Sequence, residues 1–187
     1  MSTRLAWLGV AATLVFGGGA GSAPLDTELR SRVEGLLGSY RTVTAAEWRA
    51  VGPEAAPVLE AVARDPRALP TRRARALAAL GVVRPDAAAP LIRELASEAT
   101  VAAILRSAAV DAAPGVLGAE ATDILVPLLR DRTPLVRLHS AHALASTGPA
   151  GCRAVLAEAR TRPASDPVAR EASRCEAQFR GGNSPER

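Results

Sequence analysis

This 187-residue sequence contains no lysine; all 23 of its basic residues are arginine. Together with abundant alanine, that pattern follows from the codon composition of a GC-rich genome. The arginines and the net charge of +4 are therefore no nucleic-acid signal by themselves. Aromatic residues amount to 3% against an apolar content of 48%. A core is within reach, but it must be built from small side chains that each bury little area. Stability then has to come from stacking many similar surfaces. Histidine occurs only at His139 and His142. Three residues apart on a helix, the two could share a face and touch one metal, but no third histidine exists and no catalytic glutamate lies between them. Cys152 has no histidine downstream, which excludes a papain-like nucleophile. There is no Gly-x-Ser-x-Gly and no glycine-rich phosphate loop, and the acidic residues are scattered singly. The sequence thus assigns no catalytic, cofactor-binding or metal-ligating residue.

What is present begins with an export signal. Arg4 precedes the apolar run Leu5–Phe16, and Gly17–Ala23 supplies the small residues that a signal peptidase needs. Cleavage after Ser22 places Ala20 and Ser22 at the −3 and −1 positions, so residues 1–22 read as a signal peptide. No cysteine follows the run, which excludes a lipoprotein anchor. The competing reading is an uncleaved anchor, for which twelve apolar residues are short.

The rest of the chain is organised around Asp131–Arg160, which reads as two short helices joined by a tight turn. Val136 and Arg137 open the first helix, with Ala141, Ala143 and Leu144 behind them. Gly148 closes it and Pro149 opens the second, which carries Ala154, Val155, Leu156 and Ala159. The same unit occurs earlier: with Arg73 over Arg137, Leu77 falls on Ala141, Ala79 on Ala143, Leu80 on Leu144, Pro85 on Pro149 and Ile92 on Leu156. Arg73, Arg106, Arg137 and Arg170 are 33, 31 and 33 residues apart, a spacing that suits a two-helix repeat.

The repeat resembles the HEAT family in its bacterial HEAT-like form. Asp131, Val136, Arg137, Ala143, Leu144 and Gly148 stand at the positions that mark such a unit; Arg73, Ala79, Leu80 and Gly81 match less completely. The resemblance implies an all-α, right-handed α-solenoid of about four helical hairpins with capping helices. It covers packing and turn residues, so it speaks for architecture.

Read in order, residues 25–41 form a capping helix, with Asp26 or Thr27 as its cap and Leu29, Val33, Leu36 and Leu37 on one face. Residues 42–180 form the repeat domain. Its first unit has Thr44 as a cap and Trp48 in a slot that holds a small residue elsewhere. That tryptophan is either an exposed anchor for a partner or a plug at the end of the stack. The second unit clusters Arg72, Arg73 and Arg75, a phosphate or acidic-partner site or else a solvated face. In the third, Pro114–Gly118 reads as an inserted turn. After the fourth, Asp166 and Pro167 start a half unit in which Phe179 caps the stack, and residues 181–187 form a disordered tail.

Some HEAT-like proteins are enzymes, bilin lyases and alkyl-base DNA glycosylases among them. Neither likeness reaches the site residues here. The second helices carry mixed signs, at Glu60, Arg64, Arg93, Glu94, Glu120, Asp123, Arg153 and Glu158, which argues against a basic DNA groove. The expectation is a non-enzymatic interaction module that is exported to the periplasm or beyond. It would bind an unidentified protein or peptide partner, would not bind nucleic acid, and would not span a membrane once the signal is cut. The alternative is a lyase-like enzyme or an accessory subunit of one. Export also predicts a disulfide between Cys152 and Cys175, the only two cysteines. They are equidistant from the middle of the connecting loop, so antiparallel helices would bring them level. The alternative there is two free cysteines in alanine-like slots.

Overall fold

A computed structural model describes residues 23–181; the expected signal and nearly all of the expected tail lie outside these. Among the described residues the fold is all-helical, with 78% helix and no strand. The helices are α1 (Ala23–Leu37), α2 (Ala45–Val51), α3 (Ala56–Arg64), α4 (Pro70–Val83), α5 (Pro85–Ser97), α6 (Ala103–Leu117), α7 (Ala121–Leu128), α8 (Pro134–Ser146), α9 (Pro149–Ala159) and α10 (Pro167–Gly181). Short 3₁₀ turns at Pro53–Ala55 and Gly118–Glu120 lead into α3 and α7.

Proline and glycine set the boundaries. Pro70, Pro85, Pro134 and Pro149 each occupy the start of a helix, where the missing N–H costs nothing. Gly52, Gly118 and Gly148 take positive φ (96°, 57° and 92°) at the turns between helices. Thr44 caps α2 in a reciprocal box: its hydroxyl accepts from the Glu47 N–H, while Glu47 accepts from the Thr44 N–H.

Helices α4, α6, α8 and α10 pack in succession, each on the next, and α5, α7 and α9 return against them. The shared core is aliphatic. Leu77, Leu80, Leu91, Ile92, Leu105, Leu125 and Leu144 are fully buried, with alanines between them that let the backbones approach. Leu80 and Leu144, equivalent in the aligned units, are both completely buried.

Four local expectations are corrected. Helix α1 begins at Ala23, upstream of the expected caps Asp26 and Thr27, and ends at Leu37. Gly81 stands where the HEAT-like pattern has the glycine that ends a first helix, yet it lies inside α4; a Cβ there would come within 3.2 Å of Val116 Cγ2, so the glycine serves the close approach of α6. The Pro114–Gly118 turn is mostly helix. Pro114 sits in the last turn of α6, where it forfeits a single ladder bond, and the chain reverses at Gly118. Phe179 does not cap the stack: it is 37% exposed. It continues the buried stripe of Val168, Ala172 and Cys175, but it lies one turn past the level of Cys152, beyond the start of α9.

Candidate functional site

Two of the four evenly spaced arginines do the same job. Arg73 Nε donates to the Ala63 carbonyl at 2.9 Å. Arg106 Nε and Nη2 donate to the Ala96 carbonyl at 3.4 and 3.3 Å. Both guanidinium groups cover free carbonyls at the end of the preceding helix, where the helix dipole favours a cation. Arg137 Nη1 instead donates to the Asp131 and Arg132 carbonyls, at 2.9 and 3.2 Å, in the loop before its own helix. Arg170 breaks the series: it is exposed, because α10 turns Val168, Glu171 and Ala172 inward instead.

Each of these loops also carries an acidic residue that accepts the N–H two positions on: Asp65 from Arg67, Glu98 from Thr100, Asp131 from Thr133 and Asp166 from Val168. They are 33, 33 and 35 residues apart. At two of them the second carboxylate oxygen takes an arginine from an earlier helix. Arg106 Nη2 lies 2.6 Å from Asp131 Oδ2, and Arg137 Nη2 lies 2.8 Å from Asp166 Oδ2. Burial pushes both carboxyls up, but the guanidinium and backbone hydrogen bonds outweigh it and hold them below the ordinary aspartate range. The sequence carries this signal only as acidic residues recurring 33–35 residues apart, which the arginine series alone does not reveal.

The mixed charges of the second helices are largely paired with one another. Arg64 bridges Glu60 and Glu94, Arg93 holds Glu120 through two hydrogen bonds of 2.7 Å, and Arg130 and Arg162 share Glu158. Three of these contacts (Arg64–Glu94, Arg93–Glu120 and Arg130–Glu158) join α3 to α5, α5 to the turn before α7, and the end of α7 to α9. The arginine cluster of α4 does not converge on one point. Arg72 pairs with Glu34 of α1, Arg73 turns to the end of α3, and Arg75 Nη1 donates to the Leu37 and Ser39 carbonyls at 3.2 and 2.9 Å.

The two histidines also part company. His139 Nδ1 lies 2.8 Å from Asp111 on α6, whereas His142 Nδ1 lies 3.4 Å from Glu171 on α10. Among the described residues no group of three His, Cys, Asp or Glu side chains is placed to hold a metal ion. Cys152 and Cys175 form a disulfide, with Cα atoms 5.4 Å apart and both residues buried. Trp48 is 6% exposed and belongs to the core cluster, as a plug does.

One concave feature lies beside it. A cleft of about 310 Å³ opens between the end of α1, the loop to α2, and α4. Trp48, Leu36 and Val43 supply its apolar wall, Tyr40 stands fully exposed beside it, and Arg41 and Arg75 supply its charge. Arg41 is already held by Glu47; hydrogen bonds from Arg41 and from Thr44 lower the Glu47 carboxyl to about 2.

No family model matches this chain, and no curated protein or solved structure is significantly similar to it. Among the described residues, no helix is long and apolar enough to cross a membrane.

Proposed function

We propose that the chain is a HEAT-like, right-handed α-solenoid of about four hairpins, exported from a bacterial cell, whose work is to bind a protein partner without catalysis. The observation that carries this reading is the recurring arginine: Arg73 and Arg106 return to the carbonyl end of the preceding helix, Arg137 holds the carbonyls of the loop before its own helix, and an acidic turn precedes each of α4, α6 and α8. Repeated capping of this kind suits a stack in which each unit meets only its neighbours. Such a stack is stiff and offers a long surface to another protein. The buried disulfide supports passage through an oxidising compartment. Arg64, Arg73, Arg93, Arg106, Arg130 and Arg137 are spent on carboxylates and carbonyls within the chain, which supports a protein partner over a nucleic acid.

Crosslinking in the native host followed by mass spectrometry tests this directly. A stoichiometric protein partner, with no activity from the purified chain on broad hydrolase and lyase substrate panels, is the expected result. Turnover by the purified chain alone would move it to the enzyme class. Intact-mass analysis of the same preparation should show a mature chain that begins near Ala23.

A further inference from the structure

We infer that the cleft beside Trp48 receives the C-terminus of a partner protein, with the terminal carboxylate on Arg75 and an apolar last side chain against Trp48, Leu36 and Val43. The inference rests on the interaction-module reading and names where and what that module would bind. Three features of the cleft carry it.

The first is an incompletely used guanidinium. Arg75 spends Nη1 on the Leu37 and Ser39 carbonyls, which fixes the side chain against the end of α1. Its Nε and Nη2 make no protein hydrogen bond among the described residues, and the side chain lines the cleft. A guanidinium with two adjacent N–H groups free is shaped for one carboxylate. The other cation, Arg41, is not available in this way, since Glu47 holds it through both nitrogens. The site therefore presents one unbalanced positive charge, which selects an anionic group.

The second is the wall. Leu36 and Val43 are half-buried and Trp48 is nearly buried, so they form a firm apolar surface; Tyr40 is wholly exposed and has no packing role in the free chain. An exposed aromatic beside a preformed apolar wall can close over a side chain at little cost in ordering.

The third is size. At about 310 Å³, the cleft is at the lower limit for small-molecule sites, which enclose most of their ligand. It is also open on one side. That suits the end of a longer molecule, which brings one side chain and one carboxylate and leaves the remainder outside.

The test uses the full chain and a fluorescein-labelled hexapeptide that ends in Leu-Phe with a free carboxylate, beside the same peptide as its C-terminal amide. Fluorescence anisotropy should show binding of the acid, and binding at least tenfold weaker for the amide. Arg75→Gln should weaken the acid peptide tenfold or more and leave the amide unaffected. Tyr40→Ser, at a position with no packing to lose, should weaken both peptides several-fold with no change in melting temperature. Equal affinity for acid and amide, or no binding of either up to millimolar peptide, overturns the inference. The acid–amide comparison needs no variant, so it decides the matter even where Arg75→Gln disturbs the end of α1. A partner captured by crosslinking while both peptides fail to bind would sink the cleft alone; absence of any partner would sink the broader reading.

Discussion

Arg106 and Asp131, 25 residues apart in sequence, meet at 2.6 Å with both side chains withdrawn from water, at 4% and 12% exposure. Neither residue is committed to the other alone. Arg106 also caps the Ala96 carbonyl, and Asp131 also accepts the Thr133 N–H that starts α8. The pair therefore ties the end of α5, the body of α6 and the start of α8 into one polar joint. Arg137 and Asp166 repeat the arrangement one unit later, from α8 to the start of α10.

Removing one partner of such a joint should cost far more than removing an exposed one. Asp131→Asn keeps an acceptor for Thr133 but leaves the Arg106 guanidinium buried without its counter-charge. Loss of one member of a buried pair costs about 3–5 kcal/mol. Arg93→Ala, which breaks the half-exposed pair with Glu120, should cost no more than about 1 kcal/mol. Urea unfolding of both variants checks this. Equal losses would mean that the joint is not a stability element.

The same carboxylates set the acid limit of the fold. Glu158 and Asp166 are buried and Asp131 is part-buried, which alone would raise all three, yet hydrogen bonds from Arg106 to Asp131, from Arg130 and Arg162 to Glu158, and from Val168 and Arg137 to Asp166 hold them below their ordinary values. A depressed carboxyl binds its proton less readily in the folded chain than in the unfolded one. Its contribution is fully present above the unfolded value, at about 4, and is lost as pH falls through the folded value. Melting temperature should therefore hold between pH 7 and 5 and fall below about pH 4. Asp131→Asn should show a shallower fall. A melting temperature that rises between pH 5 and 3 would contradict this assignment.

Periodicity made much of the architecture legible before any coordinates. The leucines and alanines that recur at helical spacing are the buried ones, and the Pro-started, Gly-separated boundaries around α8 and α9 lie where those residues stand. Two of the misreadings depend on a neighbouring helix: α6 approaches Gly81, and α9 starts too late to cover Phe179. Pro114 depends on its place in its own helix, the last turn of α6, where a proline costs a single ladder bond. The polar joints and the cleft were not legible, because they depend on which side chains meet across units. Arg106 and Asp131 each look like ordinary solvated charges until the helices are stacked.

Gly151 carries no turn or capping signal that would single it out in the sequence. In α9, a Cβ on this residue would come within 1.9 Å of the Leu144 carbonyl oxygen and 2.3 Å of Thr147 Oγ1. The first of these is backbone and cannot step aside. Gly151→Ala should destabilise by at least the ~1–3 kcal/mol typical of overpacking. Gly35→Ala is the control. Nothing lies within 4 Å of its Cβ position in α1, so helix propensity alone acts and should stabilise by about 0.5–1 kcal/mol. Opposite shifts of the two melting temperatures are expected; a neutral Gly151→Ala would mean that α8 and α9 are less closely packed than described.

The disulfide fastens the last helix. Cys152 lies one turn into α9 and Cys175 midway along α10, and their Cα separation of 5.4 Å falls within the range that a bridge spans without backbone movement. Helix α10 packs on α8 and α9, and among the described residues no further helix covers its outer side. Cross-linking across a closed loop of this length, with the cysteines 23 residues apart in sequence, lowers the entropy of the unfolded chain. In that chain-entropy account the bridge contributes roughly 3 kcal/mol, a model-dependent figure. Replacing both cysteines by alanine should keep the packing, since the slots are small and buried, and should lower the melting temperature by roughly 6–12 °C for a domain of this size. Thiol labelling gives the direct check. Unreduced, denatured protein should take up no maleimide, and reduced protein should take up two. Because both residues are buried, reductant should act on the native protein only after α10 has detached, so the rate of labelling without denaturant measures the opening of that helix. Two labelled thiols before reduction would show that the chain leaves its host unbridged.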